Sequence, residues 1–377
     1  MGTKLERIME ISATTPKPEF TSLYYLINIE MLKQCHKELD GNKAVGIDKV
    51  TKAEYEEHLE ENLTNLVSKL KNKAYKPLPS LRVFIPKANG KKRPLGIASY
   101  EDKIVQLAVK KILEAIYEPR FLNCMYGFRP NRGCHDAIKE VHRQISNEHI
   151  NHVVDADIKG FFDHLSHEWM MEFLKLYIKD PNLLWLINKY LKAGVMTDGV
   201  FEESEEGSAQ GNIISPILAN IYMHNVLTLW YKFVIKSNTF GNSFLVVYAD
   251  DFIAGFQYKE DAERYYVLLK ERLKKFNLEL EESKSRMIEF GRYAETNSSS
   301  VDVNNGFNEH GTSTSSIRAF SISYATYLST LKPARSNAII PQDMPSNKLN
   351  TFKLLFVVII LFSVFKSLIF TRRCNAY

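Results

Sequence analysis

The stretch Phe244-Leu-Val-Val-Tyr-Ala-Asp-Asp-Phe-Ile-Ala-Gly-Phe256 constrains this chain more than any other. Two adjacent carboxylates, Asp250 and Asp251, interrupt a run of apolar, β-prone residues. The pattern predicts a hairpin with both acids at its tip. Aspartate favours tight turns through bonds to its own backbone, so a turn alone would account for an Asp-Asp pair. The flanks weaken that explanation. They predict buried strands on both sides, and two like charges at a buried tip repel unless a cation lies between them. A site of oxygen ligands suits hard divalent ions, Mg²⁺ above all. Phosphoryl and nucleotidyl transfer use such ions in pairs.

A third carboxylate joins them. Val153-Val-Asp-Ala-Asp-Ile-Lys-Gly-Phe-Phe-Asp163 starts as a short buried strand. It breaks at Gly160 into an amphipathic helical pattern carrying Trp169, Phe173, Leu174 and Leu176. Asp157 falls at the strand's end, where the backbone could present it beside the Asp250-Asp251 tip. A helix N-cap is the competing role for Asp157 and the preferred one for Asp155 and Asp163.

With these three acids in view, the chain resembles the reverse transcriptases encoded by bacterial group II introns. Asp157 and Tyr248-Ala-Asp-Asp251 are similar to that family's palm motifs, and four more blocks follow its order. Arg82-Val-Phe-Ile-Pro-Lys-Ala-Asn-Gly-Lys-Lys-Arg-Pro-Leu-Gly-Ile97 resembles the fingers segment, and Tyr126-Gly-Phe-Arg-Pro-Asn-Arg-Gly-Cys-His-Asp-Ala137 the block after it. Gly207-Ser-Ala-Gln-Gly-Asn-Ile-Ile-Ser-Pro-Ile-Leu-Ala-Asn-Ile-Tyr222 resembles the block between the catalytic strands, and Leu280-Glu-Glu-Ser-Lys-Ser-Arg-Met-Ile-Glu-Phe-Gly291 the one beyond them. The likeness runs from about residue 20 to 297.

The resemblance implies an α+β fold, a right-hand polymerase with fingers and an antiparallel palm sheet backed by helices. It implies RNA-directed DNA polymerase activity, accompanied in relatives by splicing maturase activity. The partners would be an intron RNA template, a DNA primer and dNTPs. Asp157, Asp250 and Asp251 would hold two Mg²⁺ ions, and Ala249 would keep the crowded turn small. Lys87 and Arg93 would meet the triphosphate, as a flexible ammonium and a forked guanidinium suit phosphate charge. Phe162 matches the sugar gate, where a bulky ring collides with a 2′-hydroxyl; an ordinary core Phe is its plainer role. Gln210 would fix the nucleotide's sugar and base, with Gly211 permitting close backbone approach. Lys284 would balance active-site charge or lie on the surface. Arg129 and Arg132 would grip template or helix ends. Ala209 and Asn212 stand where relatives usually carry proline and glycine, a difference that could shift the Gln210 loop.

Charge distribution agrees with a polyanion partner. The formal charge is only +5, yet from Asn62 to Tyr100 there is no acid, while Lys69, Lys71, Lys73, Lys76, Arg82, Lys87, Lys91, Lys92 and Arg93 supply nine bases. Such a stretch is the footprint of nucleic-acid binding, with Lys69, Lys71 and Lys73 leading it. Cys35, Cys124, Cys134 and Cys374 show no metal-ligand spacing and read as reduced thiols of a cytoplasmic protein. No signal peptide pattern opens the chain.

Periodicity divides the 377 residues into subdomains. Residues 1–20 read as an N-terminal arm, 21–150 as fingers with a basic hairpin, and 151–297 as palm. Helices are expected within 20–75 and over 101–118, 166–193, 215–236 and 260–276, with a hairpin pairing 81–85 and 93–97. Residues 298–350 are rich in Ser, Thr and Asn and predicted to be disordered. In 351–377, Leu354–Phe370 is an apolar run interrupted by Lys366, short for a membrane span. No thumb or maturase block is recognisable after Asn297, and a truncated or shifted reading frame is the expected cause. Two alternatives follow: an RNA-binding remnant that keeps the basic fingers, or another bacterial reverse transcriptase class. The intact acids argue against the first, since binding alone does not need them. The basic hairpin and Gln210 loop argue against the second.

Overall fold

The computed structural model describes residues 2–86 and 92–289. Lys87, the low-complexity stretch and the apolar run therefore lie outside the described residues. The expected N-terminal arm contains a helix, α1 (Gly2–Thr14). Arg120 holds its end, donating to the carbonyls of Ser12 at 2.9 Å, Thr15 at 2.6 Å and Pro16 at 3.2 Å. Next come α2 (Ile29–Glu38), α3 (Lys52–Glu57) and α4 (Leu59–Lys71). Asn28 caps α2, and Thr51 with Glu54 forms a reciprocal capping box on α3. Leu63, Leu66 and Leu70 recur at helical spacing and bury the inner face of α4.

The basic hairpin is β1 (Ser80–Pro86) paired antiparallel with β2 (Lys92–Ile97), as expected. Helix α5 (Tyr100–Tyr117) follows, capped by Ser99 and buried along most of its length. Its Asp102 anchors the approach to β1. The carboxylate accepts from the Tyr75 hydroxyl, from Ser99 at 2.6 Å and from the Leu78 amide at 3.0 Å, while Tyr75 also meets Tyr190 at 2.6 Å. Burial pushes Asp102 up to about 6 despite these donors.

Beyond α6 (Cys134–Asn147) lie β3 (His152–Ala156), α7 (His167–Lys175), α8 (Pro181–Leu191), β4 (Val195–Thr197) and β5 (Val200–Glu202). The helical span expected over 166–193 thus consists of two helices. Pro181 cannot continue α7, and Asp180 caps α8 while also accepting from the Leu23 and Tyr24 amides at 2.6 and 2.7 Å. Then come α9 (Ser215–Met223), β6 (Ser243–Tyr248), β7 (Asp251–Phe256), α10 (Lys259–Lys275) and β8 (Arg286–Glu289). The helix expected to 236 widens after Met223 into π-helical turns over His224–Thr228 and Tyr231–Ile235. Here Thr228 donates to the His224 carbonyl at 3.1 Å, and Arg272 to those of Asn225 and Val226 at 3.1 and 2.9 Å.

Among the described residues two four-stranded sheets form, ordered β2-β1-β4-β5 and β6-β7-β3-β8. The first contains a parallel pair, β1 with β4, so the 195–202 hairpin joins the basic hairpin rather than the second sheet. In the second, β7 pairs antiparallel with both β6 and β3. Every residue of β3 and β6 is buried. Phe173, Tyr222, Phe276 and Trp169 stack into an aromatic cluster that packs within the same core.

Candidate active site

Strands β6 and β7 meet through a two-residue turn, with Tyr248 paired to Asp251 and Ala249-Asp250 between them. Tight hairpin turns need positive φ, normally supplied by glycine. Ala249 adopts φ 59°, at a cost of about 1 kcal/mol for a residue with a Cβ. The chain spends that energy at the position that aims Asp250 and Asp251.

On the other side of β7, β3 pairs Ala156 with Phe252, which leaves Asp157 just past the strand end, near enough to Asp251 to raise its pKa. Asp157 is tied down by its backbone: its amide donates to the Ser285 hydroxyl at 3.3 Å, and its carbonyl accepts from Glu281 at 2.8 Å. The Lys284 ammonium donates to its carboxylate at 2.6 Å. Lys284 is thus both an exposed residue, its side chain 59% accessible, and an ion-pair partner of Asp157.

The acids feel one another. Asp250 is pushed up to about 6, by burial first and then by the Asp157 carboxylate, against its own backbone amide, Arg93 and Lys284. Asp251 is raised well above the usual carboxylate range by burial and by Asp250, Asp157 and Asp155, with Lys284 opposing. Asp155 belongs to the same electrostatic cluster, its charge partly met by Arg286 at 3.4 Å. Neither Asp155 nor Asp163 caps a helix, contrary to expectation, and nor does Asp157. Gly160 precedes the short 3₁₀ turn Phe161–Asp163, and Ser166 caps α7.

Of the residues expected on the nucleotide side, Arg93 lies on a strand, Phe162 in the short 3₁₀ turn and Gln210 in a loop. Arg93, on β2, acts electrostatically on Asp250. The Gln210 loop is bound to the same strand, with Gly96 donating to the Gln210 carbonyl at 2.6 Å. It is also held by Gln106, which accepts from the Ile213 amide at 3.0 Å, and by a 3.1 Å bond from Ser80 to Asn212. Asn212 thus has a contact that glycine would lack. Phe162 is buried, and its carbonyl accepts from Ser208 at 2.8 Å, which joins the Phe162 turn to the Gln210 loop.

Two expected nucleic-acid contacts differ in their placement. Arg129 is turned inward, its side chain 4% exposed. Its Nε and Nη2 donate to Glu118 at 3.0 and 2.7 Å, and its Nη1 to the Leu122 and Met125 carbonyls at 2.9 and 3.0 Å. Those donors are not offered to a nucleic acid. The sequence showed the charge of Arg129 but not its partner eleven residues earlier. Arg132 is half-buried, bonded to Asn123 and lying over the Tyr126 ring. Lys71 and Lys73 are exposed, and Lys69 is half-buried beside Glu101 at 3.7 Å. Cys35, Cys124 and Cys134 are free thiols.

An all-carboxylate donor set with excess negative charge fits a hard divalent cation. Among the described residues no three or more His, Cys, Asp and Glu groups are already drawn together around a metal position, and Lys284 engages one Asp157 oxygen. Among the described residues, no helix is long and apolar enough to cross a membrane.

This chain belongs to the reverse transcriptase (RNA-dependent DNA polymerase) family, whose profile matches residues 85–320. The fold is accordingly that of a right-hand polymerase, the sheet carrying the acids being termed the palm sheet and the other the fingers sheet, and the family's chemistry implies divalent metal and template–primer nucleic acid. The match begins later and runs further than the motif blocks had suggested. Among relatives, group II intron-encoded protein LtrA of Lactococcus lactis subsp. cremoris is 39% identical over 235 residues, 61% of this chain and 39% of LtrA. Protein YkfC of Escherichia coli K12 is 38% identical over 187 residues, 49% of each chain. An uncharacterized 91 kDa protein in the cob intron of Schizosaccharomyces pombe is 39% identical over 164 residues, 44% of this chain and 20% of that one. The chain thus spans half or less of the length of these relatives.

Proposed function

We propose that this chain carries the nucleotidyl-transfer centre of a group II intron-encoded RNA-directed DNA polymerase, with Asp157, Asp250 and Asp251 holding two Mg²⁺ ions. The observation that carries this reading is the set of three acids at adjoining strand ends, two of them shifted upward by burial first and then by their neighbours' charge. Burial and repulsion at this site are costs that a binding scaffold would have no reason to retain. Bound there, the two ions would favour the ionised primer 3′-hydroxyl and offset charge on the departing pyrophosphate.

The protein's own groups supply position. Asp157 is held by Ser285 and Glu281, and the Ala249 turn fixes Asp250 and Asp251. Arg93, with Lys87, takes the triphosphate of the incoming dNTP, and Lys284 offsets charge near Asp157. The Phe162 ring excludes a 2′-hydroxyl, while Gln210 orients sugar and base. Lys69, Lys71, Lys73 and Arg132 follow the phosphates of an RNA template and DNA primer. Preorganised charge of this kind typically contributes several kcal/mol to transition-state stabilisation.

Primer extension on an RNA template with dNTPs and Mg²⁺ tests the assignment. The Asp250→Asn/Asp251→Asn chain is expected to lose on the order of 10²-fold or more in rate. Incorporation at the parent rate would remove these acids from the chemistry.

A further inference from the structure

The loop joining α5 to α6 runs beneath the carboxylate turn. Val247 donates to the Cys124 carbonyl at 2.8 Å and Tyr126 to the Val247 carbonyl at 2.9 Å, so this loop continues the palm sheet beyond β6. Gly127 then lies so close to the turn that a Cβ there would sit 2.2 Å from the Ala249 nitrogen. No L side chain fits that gap without displacing one backbone or the other.

Two buried side chains from elsewhere hold the loop in this place. On α9, Asn220 is 1% exposed and donates its amide to the Gly127 carbonyl at 2.9 Å. Arg129 gathers Glu118 and the carbonyls of Leu122 and Met125 about one guanidinium. Between them Phe128 has φ 57°, an unfavourable value for a residue with a Cβ that persists only where its surroundings fix it. The turn above repeats the condition at Ala249, with φ 59°.

We propose that Asn220 and Arg129 are positioning residues of the carboxylate turn, holding the Leu122–Arg129 loop as a backing through which Gly127 sets the projection of Asp250 and Asp251. The inference rests on the reading of those acids as metal ligands. It gives Arg129 a different task from gripping template, one that its buried position allows. Asn220 acts on the same turn from a separate helix. Both effects reach the acids through backbone contact at Gly127, since the two side chains bond to the loop rather than to the carboxylates.

Mn²⁺ titration of the full chain, followed by electron paramagnetic resonance, separates the two ideas. The parent should bind Mn²⁺ and Asp250→Asn/Asp251→Asn should not; a parent without this acid-dependent binding sinks the ligand assignment and this inference together. If the parent does bind, Asn220→Ala should weaken Mn²⁺ about tenfold and broaden the bound-ion spectrum, with a smaller loss for Arg129→Lys. Each variant is compared at a temperature where its melting curve shows it folded. Parent-like affinity and spectrum in folded Asn220→Ala would overturn the positioning role and leave the acids' assignment standing. Should the variants not fold, amide exchange in the unaltered chain decides. The Tyr126, Val247 and Asp251 amides are expected to open together, and Asp251 exchanging far faster than Tyr126 would overturn the proposal.

Discussion

In the palm sheet, β3 and β6 are buried at every position, and β7 at all but its first residue, Asp251. In the fingers sheet, β5 is exposed throughout and β1 is only partly covered. The charges follow the same division. The palm strands and their ends concentrate Asp155, Asp157, Asp250 and Asp251, whereas the fingers segment from Asn62 to Tyr100 has no acid. Like charges can be held together only where packing prevents the strands from parting, so the acids sit in the covered sheet. A nucleic-acid surface needs the reverse, with cations in water where counterions can be released. The difference teaches that burial here is allocated by the charge each sheet must carry.

Truncation of one aromatic in each sheet should give the largest contrast. Phe252, 2% exposed, is expected to cost about 3–5 kcal/mol when changed to Ala, by transfer and cavity terms together. Phe84, 49% exposed in the fingers, should stay within about 0.5 kcal/mol. Urea unfolding of both variants measures this, and equal losses would break the comparison.

His224, buried in the widened turns after α9, supplies the next effect. Burial, with Arg129, Arg120 and Lys232 nearby, lowers its pKa to about 4. An unfolded histidine binds its proton near 6.5. Between these values the unfolded chain holds more protons than the folded one, so stability falls as pH drops from about 6.5 towards 4. The contribution is fully present above the unfolded pKa and is on the order of 3 kcal/mol. His224→Gln should flatten that part of the stability–pH profile. An unchanged slope would show that the imidazole titrates normally.

In the fingers, a smaller and purely electrostatic change is expected. Replacing exposed Lys71 and Lys73 by Gln should reduce the slope of log affinity for RNA against log salt by about 1.5 units, at roughly 0.7–0.9 per phosphate contact. Adding Lys69→Gln should contribute less, because Glu101 lies 3.7 Å from its ammonium. Filter binding over a salt series reads both numbers. Equal contributions from all three lysines would mean that the Glu101 pair does not compete with phosphate.

The palm was the more legible sheet. Its hairpin could be read because two apolar runs frame Asp250 and Asp251, and α5 because its apolar residues recur at helical spacing. The strand register then brought Asp157 to them, a step that the strand-end position had already implied. The fingers sheet was half legible: β1 and β2 are close neighbours in sequence, but β4 and β5 are three residues each, and β4 reaches β1 across a long separation. Strands that short carry little periodicity of their own. Pro181 was a visible helix boundary that apolar spacing on both sides concealed. Arg129 misled because sequence displays a charge without its partner. Gly127 carried a signal, a glycine beside Phe128 in an aromatic block, but the surface that needed it lies more than a hundred residues away.

The central claim is that Asp157, Asp250 and Asp251 form one repulsive cluster that a divalent cation relieves. Thermal unfolding of the parent and of Asp250→Asn/Asp251→Asn, each in chelator and in Mg²⁺, tests it most directly. In chelator the variant should melt above the parent, because two half-buried acids whose ionised forms repel have been replaced by neutral amides. Mg²⁺ at about a hundred times its dissociation constant should then stabilise the parent by roughly 2.7 kcal/mol and leave the variant unmoved. A variant that melts lower in chelator and responds to Mg²⁺ as the parent does would contradict the account.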